Sequence, residues 1–231
     1  KPAAVCTVPD GEATPIVKGS HVYLVDGSGY IFRAFFQAQN MDRKYLFRSD
    51  GTPTGAVHFF CNMIWKLLRE TKASEAPTHF AVIFDASEKT FRNEIYADYK
   101  ANRPPAPEEL IPQFPLIRDA VKAFNIACLE QDGYEADDLI ATYAREVVDA
   151  GGDVTVVSSD KDLMQIVRPG VVMFDGMKNK RFGREEVMEK FGVPPEKVVD
   201  VQALAGDSTD NVPGVPGIGV KTAAELINTY G

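Results

Sequence analysis

Apolar residues along the chain fall into two kinds of run that take turns. Short, nearly continuous runs rich in β-branched and aromatic residues are Val22-Tyr-Leu-Val25, Phe80-Ala-Val-Ile-Phe84, Ile126-Ala-Cys-Leu129, Val154-Thr-Val-Val157 and Val171-Val-Met-Phe174. Such runs predict strands buried on both faces. Between them apolar positions recur at helical spacing. Val57, Phe60, Cys61, Ile64, Leu67 and Leu68 predict a helix from a Thr54 cap to Glu70. Leu139, Ile140, Tyr143, Val147 and Val148 predict another, opened by Glu135, Asp137 and Asp138 and stopped by Ala150-Gly151-Gly152, since Gly readily takes the left-handed cap conformation. Further helices are predicted after Gly29, over Pro112 to Phe124, briefly after Asp162, and from Arg184 to Phe191 with a stop at Gly192. Pro194-Pro195 then starts the next helix, in the first turn that tolerates Pro.

Strands alternating with helices imply an α/β fold, a mainly parallel central sheet with helices on both faces. The run at Val171 is expected near the sheet edge, and Tyr45 to Pro53 reads as a loop. Residues 1 to 20 show no periodicity and are expected to be a flexible tail or a processed or cut end. Residues 21 to 231 then form the domain.

Composition narrows the function classes. The net charge is -8, with 33 acidic residues, so no bulk basic surface advertises nucleic acid. That balance misleads if many acids share one metal-filled pocket. Cys6, Cys61 and Cys128 form no CxxC pair, and His21, His58 and His79 share no ligand spacing. A disulfide framework and a zinc site are therefore not expected. No apolar run is long enough to cross a bilayer and no signal-peptide core is present. The expectation is a soluble, cytoplasmic protein with no membrane partner.

The chemistry is carried by acids at strand ends. Asp26 closes the first strand, Asp85 the second, and Asp160 with Asp162 follows the run at Val154. In open parallel sheets that edge holds the ligand crevice. Glu135, Asp137 and Asp138 at a helix start, and Asp207 and Asp210 in Gly206-Asp-Ser-Thr-Asp-Asn211, can be brought to the same edge. Each group alone could be a helix cap or a turn. Together, so many carboxylates would repel one another unless cations sat among them. All-oxygen ligation without His or Cys selects Mg²⁺ or Mn²⁺.

Two further stretches suit nucleic acid. Between residues 86 and 111, Lys89, Arg92, Lys100 and Arg103 interleave with Phe91, Tyr96 and Tyr99 before Pro104-Pro105 and Pro107, as in elements that grip a backbone and stack bases. A solvated connection with a Pro-rich exit is the plainer reading of the same residues. Near the end, Gly214-Val-Pro-Gly-Ile-Gly219-Val-Lys221 places glycines before a helix. Backbone N–H groups exposed there bind phosphate. Gly217-Ile-Gly219 with Lys221 fits a helix-hairpin-helix over about 203 to 231.

Leu24-Val-Asp-Gly-Ser-Gly-Tyr30, Phe84-Asp85, Tyr99-Lys-Ala-Asn-Arg-Pro104, Glu135-Ala-Asp-Asp138, Ser159-Asp-Lys-Asp162, Gly206-Asp-Ser-Thr-Asp-Asn211 and Gly214-Val-Pro-Gly-Ile-Gly219 together resemble the 5′-nuclease domain of bacterial DNA polymerase I. The likeness runs in order from about His21 to the end. It implies a 5′-nuclease or PIN-like fold with a helical arch over about 86 to 111. It implies a 5′-3′ exonuclease and flap endonuclease of DNA replication and repair, acting on branched or flapped duplex and on RNA primers. It also implies roles. Asp26, Asp85, Glu135 and Asp137 match positions around one metal ion; Asp160, Asp162 and Asp210 match those around a second, with Asp138 and Asp207 as outer carboxylates. Lys100 matches a catalytic lysine, and Arg33 and Arg103 match phosphate contacts. The Gly214 to Lys221 hairpin matches a duplex-binding element that also holds K⁺. Phe32 or Tyr30 is placed to stack an unpaired base.

The implied chemistry is two-metal hydrolysis, with ions about 4 Å apart flanking the attacking and leaving oxygens. The family domain continues with more helices, so some duplex-binding surface is expected beyond Gly231, and the chain reads either as a stand-alone nuclease or as part of a longer chain with a covalently linked polymerase region. The rival reading is a non-catalytic module that binds branched nucleic acid through hairpin and arch. An aspartyl-phosphate phosphatase is set aside, because Asp26-Gly27-Ser28 lacks the second aspartate.

Overall fold

The computed structural model describes residues 5–7, 14–42, 44, 46–74 and 76–231, the side chains of 5–7 and 72–74 excepted. Most of the expected tail, and Tyr45 of the expected loop, lie outside the described residues. A seven-stranded sheet forms the middle layer. Its strands are β1 (Val5–Thr7), β2 (His21–Asp26), β3 (His79–Ile83), β4 (Ala127–Leu129), β5 (Asp153–Val157), β6 (Val171–Asp175) and β7 (Lys180–Phe182). They lie in the order β1-β4-β3-β2-β5-β6-β7. The five central strands are parallel and the two edge strands antiparallel.

Alternate residues of each strand face opposite layers. On one face Val22, Leu24, Ala81, Ile83, Val154 and Val156 pack against α5 (Ala136–Asp149), α6 (Arg184–Phe191), α7 (Val198–Ala205) and α8 (Val220–Tyr230). On the other, Tyr23, Val25, Val82 and Cys128 pack against α1 (Gly27–Ala38), α2 (Gly55–Ser74) and α4 (Gln113–Ala123). β2, central and paired with both β3 and β5, is buried from Val22 to Asp26. Both layers therefore converge on its carboxyl end.

Three expectations are corrected. Asp85 does not end its strand; β3 stops at Ile83, leaving Asp85 in the following loop. The segment over 86 to 111 is not a helical arch: only α3 (Phe91–Ile95) is helical, and turns and Pro104, Pro105 and Pro107 fill the rest, as proline's missing N–H requires. Val5–Thr7, inside the expected tail, pairs with β4. The run at Val171 lies near the sheet edge as expected, with only β7 folded back outside it. Elsewhere boundaries follow the pattern closely, and Gly192, with φ 74, caps α6 in the left-handed form.

Candidate active site and metal centre

Asp26 is the last residue of β2 and the N-cap of α1, so the chain passes from strand to helix at the carboxylate itself. Its Oδ1 accepts the Gly29 N–H at 2.8 Å and its Oδ2 the Ser158 hydroxyl at 2.9 Å. A Cβ on Gly29 would stand 2.6 Å from Asp26 Oδ2. Glycine is thus the residue that lets the helix start so close to the acid.

Asp85 is clamped through its backbone. Its N–H donates to Ser28 Oγ at 3.0 Å, and its carbonyl accepts Arg118 Nη2 at 2.9 Å. Its Oδ1 accepts the Ala136 N–H at 2.7 Å, in the first turn of α5. The same helix start presents Glu135, Asp137 and Asp138. Across the β5 end, Ser158 Oγ accepts the Asp160 N–H at 3.0 Å, and Asp160 Oδ1 accepts the Asp162 N–H at 2.9 Å.

The electrostatics show how tightly the acids are gathered. Burial, opposed by the Gly29 and Ser158 hydrogen bonds and assisted by Asp85 and Asp160, raises the Asp26 pKa from 3.8 to about 6. Burial, then Asp26, Asp160, Asp85 and Glu135, pushes Asp137 well above the carboxylate range. Burial and Asp160 raise Asp162, with Gln202 and Lys161 opposing. Six acids gathered at and beyond three strand ends and at one helix start therefore feel one another.

The protein's own cations hold the remaining acids. Lys100 Nζ lies 2.9 Å from Glu135 Oε2 and 3.9 Å from Asp210 Oδ2. Tyr99 Oη is 3.2 Å from Glu135 Oε2 and 3.1 Å from Asp210 Oδ2, and Arg103 pairs with Asp210 Oδ1. Lys161 Nζ stands 2.6 Å from Asp207 Oδ2. That pairing outweighs the effect of burial and keeps Asp207 below the usual carboxylate range. Lys100 has φ 57, in the left-handed region, and its N–H donates to the Asp210 carbonyl at 2.9 Å. Asn102 Nδ2 donates to the Ser208 carbonyl and Asn211 Nδ2 to the Asp98 carbonyl. The basic segment is thereby tied down onto the acid loop, with Lys100 held in a backbone conformation that non-glycine residues rarely adopt.

A profile for the N-terminal resolvase-like domain of 5′-3′ exonucleases matches residues 21–192, and one for their C-terminal SAM fold matches 193–231. The chain belongs to the 5′-3′ exonuclease family. It is 57% identical over 235 residues to the DNA polymerase I of Rhizobium leguminosarum, covering 100% of this chain and 23% of that protein. It is 42% identical over 210 residues to a 5′-3′ exonuclease of Aquifex aeolicus, covering 91% of this chain and 70% of that one. The chain thus spans about a quarter of the polymerase it matches. A zinc-bound bacteriophage T5 5′-exonuclease shares the fold, with a TM-score of 0.72 and 22% identity over 91% of this chain and 76% of the other. A T5 flap endonuclease complex with DNA and metal ions gives 0.73 and 23% over 91% and 75%.

An open cleft of about 390 Å³ is lined by Asp26, Asp160, Asp162, Asp207, Asp210, Arg103, Lys161 and Lys190, among others. Among the described residues, no three Asp, Glu, His or Cys side chains converge as a set able to hold one ion in this conformation. The donor chemistry nevertheless fits a hard divalent cation. The crowded carboxylates are all-oxygen donors, and those at Asp26 and Asp137 resist ionising beside their neighbours, a cost that bound positive charge offsets.

Several expected residues stand elsewhere. Tyr30 is not placed to stack a base; it is buried at 6% exposure and packs edge-on against Phe60. Phe32, two residues on and on the opposite face of α1, is 41% exposed. Asp138 accepts Arg92 in a two-pronged pair at 2.7 and 2.8 Å, and the Glu135 N–H at 3.0 Å. Both Asp138 and Arg92 are committed to each other in this structure. Arg33 donates to Ser159 Oγ at 2.7 Å, at the edge of the cleft, while Lys89 and Lys221 are exposed. Gly214 backs onto Gly206, where added Cβ atoms would meet backbone within 2.5 Å, and Gly217 and Gly219 face open space. Sequence reasoning missed Lys161, Gln202, Ser158 and Arg118, and named Tyr99 only as one of the interleaved aromatics. Only Lys161 carried a signal, standing between Asp160 and Asp162.

Proposed function

We propose that this chain is a metal-dependent, structure-specific 5′-nuclease that hydrolyses phosphodiester bonds of DNA, as a 5′-3′ exonuclease and 5′-flap endonuclease. The single observation that carries the reading is the crowding of Asp26, Asp85, Glu135, Asp137 and Asp160 at the carboxyl edge of parallel strands. Asp26, Asp85, Asp137, Asp160 and Asp162, with Glu135 and Asp210, would hold two Mg²⁺ or Mn²⁺ ions. Bound there, the ions would supply a lowered pKa for the attacking water and counter-charge for an in-line displacement.

The chain's residues do the rest. Lys100, 2.9 Å from Glu135, and Arg103 deliver positive charge beside the acids, where negative charge grows on the phosphate. Arg33, steadied by Ser159, contacts a neighbouring phosphate. Exposed Phe32 stacks an unpaired base, and the Gly217–Gly219 turn with Lys221 binds duplex backbone, with K⁺ as its companion ion. Lys89 steers the strand by charge. Flapped or branched DNA and RNA-primed ends are the substrates, and a covalently linked polymerase region is the natural neighbour, as in the Rhizobium relative. We place the protein in the bacterial cytoplasm; among the described residues no helix is long and apolar enough to cross a membrane.

The occupation of Glu135, Asp210 and Asp207 by lysine and arginine favours one alternative, a non-catalytic module that binds branched nucleic acid. A 5′-labelled flap duplex incubated with and without Mg²⁺ separates the two. Cleavage near the junction only with Mg²⁺ supports the nuclease. Binding without cleavage at any Mg²⁺ or Mn²⁺ concentration overturns it.

A further inference from the structure

Three cations line the cleft above the acids: Arg103, Lys161 and Lys190. Two are already matched, Arg103 with Asp210 and Lys161 with Asp207. Lys190 is exposed, and among the described residues it has no carboxylate within ion-pairing distance. It comes from α6, a different element from either of the others. Partial desolvation, with the neighbouring Lys178 and Lys161, holds its pKa below the ordinary lysine value, against the pull of Asp160 and Asp162. An anion entering between these ammonium groups would relieve their mutual repulsion.

The position of α6 says which anion. The helix ends at Gly192, whose carbonyl accepts Asn228 Nδ2 of α8 at 2.8 Å. α8 is the helix that follows the Gly217–Gly219 turn. Two residues before that joint, Lys190 reaches into the acid cleft. One short helix therefore touches both the cleft and, through Asn228, the last turn of the hairpin's second helix. A lysine ammonium is a compact point charge on a flexible stem, suited to a single phosphate oxygen at no fixed angle.

We infer that Lys190 is a substrate-binding residue that grips one backbone phosphate of the duplex, between the bond to be cut and the stretch held by the Gly217–Gly219 turn. This rests on the nuclease reading and adds to it a contact from α6, an element separate from the segment that carries Lys100. It makes the distance from hairpin to cut a property of α6 as well as of the hairpin.

The test uses the whole chain, a 5′-flap duplex and Mg²⁺, in single-turnover cleavage over a range of enzyme concentrations. Lys190→Ala should raise the half-saturating concentration by about 10-fold, the scale of a lost charged hydrogen bond. It should also flatten the log–log salt slope by about one, as for one lost phosphate contact. Lys190→Arg should restore most of the affinity, which a merely structural lysine on an exposed helix face would not require. Single methylphosphonate linkages, placed one to six nucleotides into the duplex, then locate the contact. At one position the wild type should weaken as much as Lys190→Ala does, and Lys190→Ala should weaken no further. An unchanged salt slope, or full additivity at every position, would overturn the inference while leaving the nuclease intact. A wild-type chain that leaves the unmodified flap uncut would overturn the nuclease reading, and this contact with it.

Discussion

Asp26→Asn should make the metal-free protein more stable at high pH and slightly less stable at low pH. The Asp26 carboxyl is 8% exposed, and its pKa rises from 3.8 to about 6, through burial first and the Asp85 and Asp160 charges after it. The folded state therefore binds this proton more tightly than the unfolded state. Stability from that proton is complete below the unfolded value of 3.8 and is lost as pH rises through about 6. At roughly 1.4 kcal/mol per pKa unit, the shift of about two units withdraws about 3 kcal/mol from the fold by pH 8. Asparagine carries no charge at either pH and escapes that loss. It keeps an acceptor for the Gly29 N–H but turns an amide toward Ser158, whose oxygen already accepts the Asp160 N–H. One compromised buried hydrogen bond costs about 1 kcal/mol. The variant should thus trail by about 1 kcal/mol near pH 4 and lead by about 2 kcal/mol at pH 8. For a chain of this length each kcal/mol moves Tm by about 2–4 °C, so the gap should swing by roughly 6–12 °C. The assay is thermal unfolding by circular dichroism in EDTA, both proteins, from pH 4 to 8. Saturating Mg²⁺ at pH 8 should then favour the wild type, which alone keeps the full ligand set. A Tm difference that stays constant across the pH range would refute the claim that burial and neighbouring acids load this carboxyl.

Asp160→Asn should nearly abolish Mg²⁺-dependent cleavage of a labelled flap while the far-ultraviolet spectrum is kept; residual turnover near the wild-type rate would exclude it as a ligand. Lys100→Ala should slow single-turnover cleavage at saturating enzyme by ~10²-fold or more, the scale of a lost electrostatic donor, whereas Lys89→Ala should change mainly affinity and its salt dependence. Equal rates for Lys100→Ala and wild type, once bound, would reduce the segment to an electrostatic guide. Gly217→Ala with Gly219→Ala should weaken duplex binding at fixed salt, because Cβ atoms there stand where phosphate meets backbone N–H groups and Gly217 has φ 82; unchanged affinity would make the hairpin structural only. In Mn²⁺ titrations followed by magnetic resonance, Asp137→Asn should lose more affinity than Asp207→Asn, and the reverse order would displace the proposed centre.

The parallel strands were legible because burial on both faces leaves unbroken apolar runs, as in Val154–Val157 and Phe80–Phe84. β7 was not, since Lys180-Arg181-Phe182 is three residues long and charged, the usual make-up of an edge that must not pair further. The segment around Lys100 read as an arch, yet its conformation is set by bonds to Ser208 and Asp210 more than a hundred residues away. Local pattern holds no record of such partners. The site divides the same way. Acids at strand ends follow from topology, so Asp26 and Asp160 could be placed together from the order of runs alone. Tyr30 was misjudged although its own helix held the answer. Tyr30, Ala34 and Ala38 share the buried face of α1 while Phe32 and Phe36 share the exposed one, a phase that 3.6-residue spacing makes readable.

The nine acids of the site part into two groups once the ion pairs are traced. Glu135, Asp138, Asp207 and Asp210 each have a lysine or arginine within 4 Å. Asp26, Asp85, Asp137, Asp160 and Asp162 have none among the described residues. A carboxylate with a cation beside it gains from ionising, and Asp138 and Asp207 accordingly lie below the usual range despite burial. The unmatched acids show the opposite sign at Asp26, Asp137 and Asp162. Uncompensated charge in a partly buried cleft is expensive and draws whatever cation can reach it. Lysine and arginine from the segment over 92 to 103 reach only the nearer four together with Lys161, because tethering to the 207–211 loop stops them there. The unmatched five stand at the strand ends and the α5 start, from buried Asp26 to exposed Asp160, and the charge that would match them has to come from a mobile cation. On that account the centre proposed here is anchored on Asp26 and Asp137. Glu135 and Asp210 would join it once Lys100 and Arg103 exchanged their carboxylates for the phosphate of a bound strand, which would make the same two cations counter-ions before substrate arrives and transition-state partners after it.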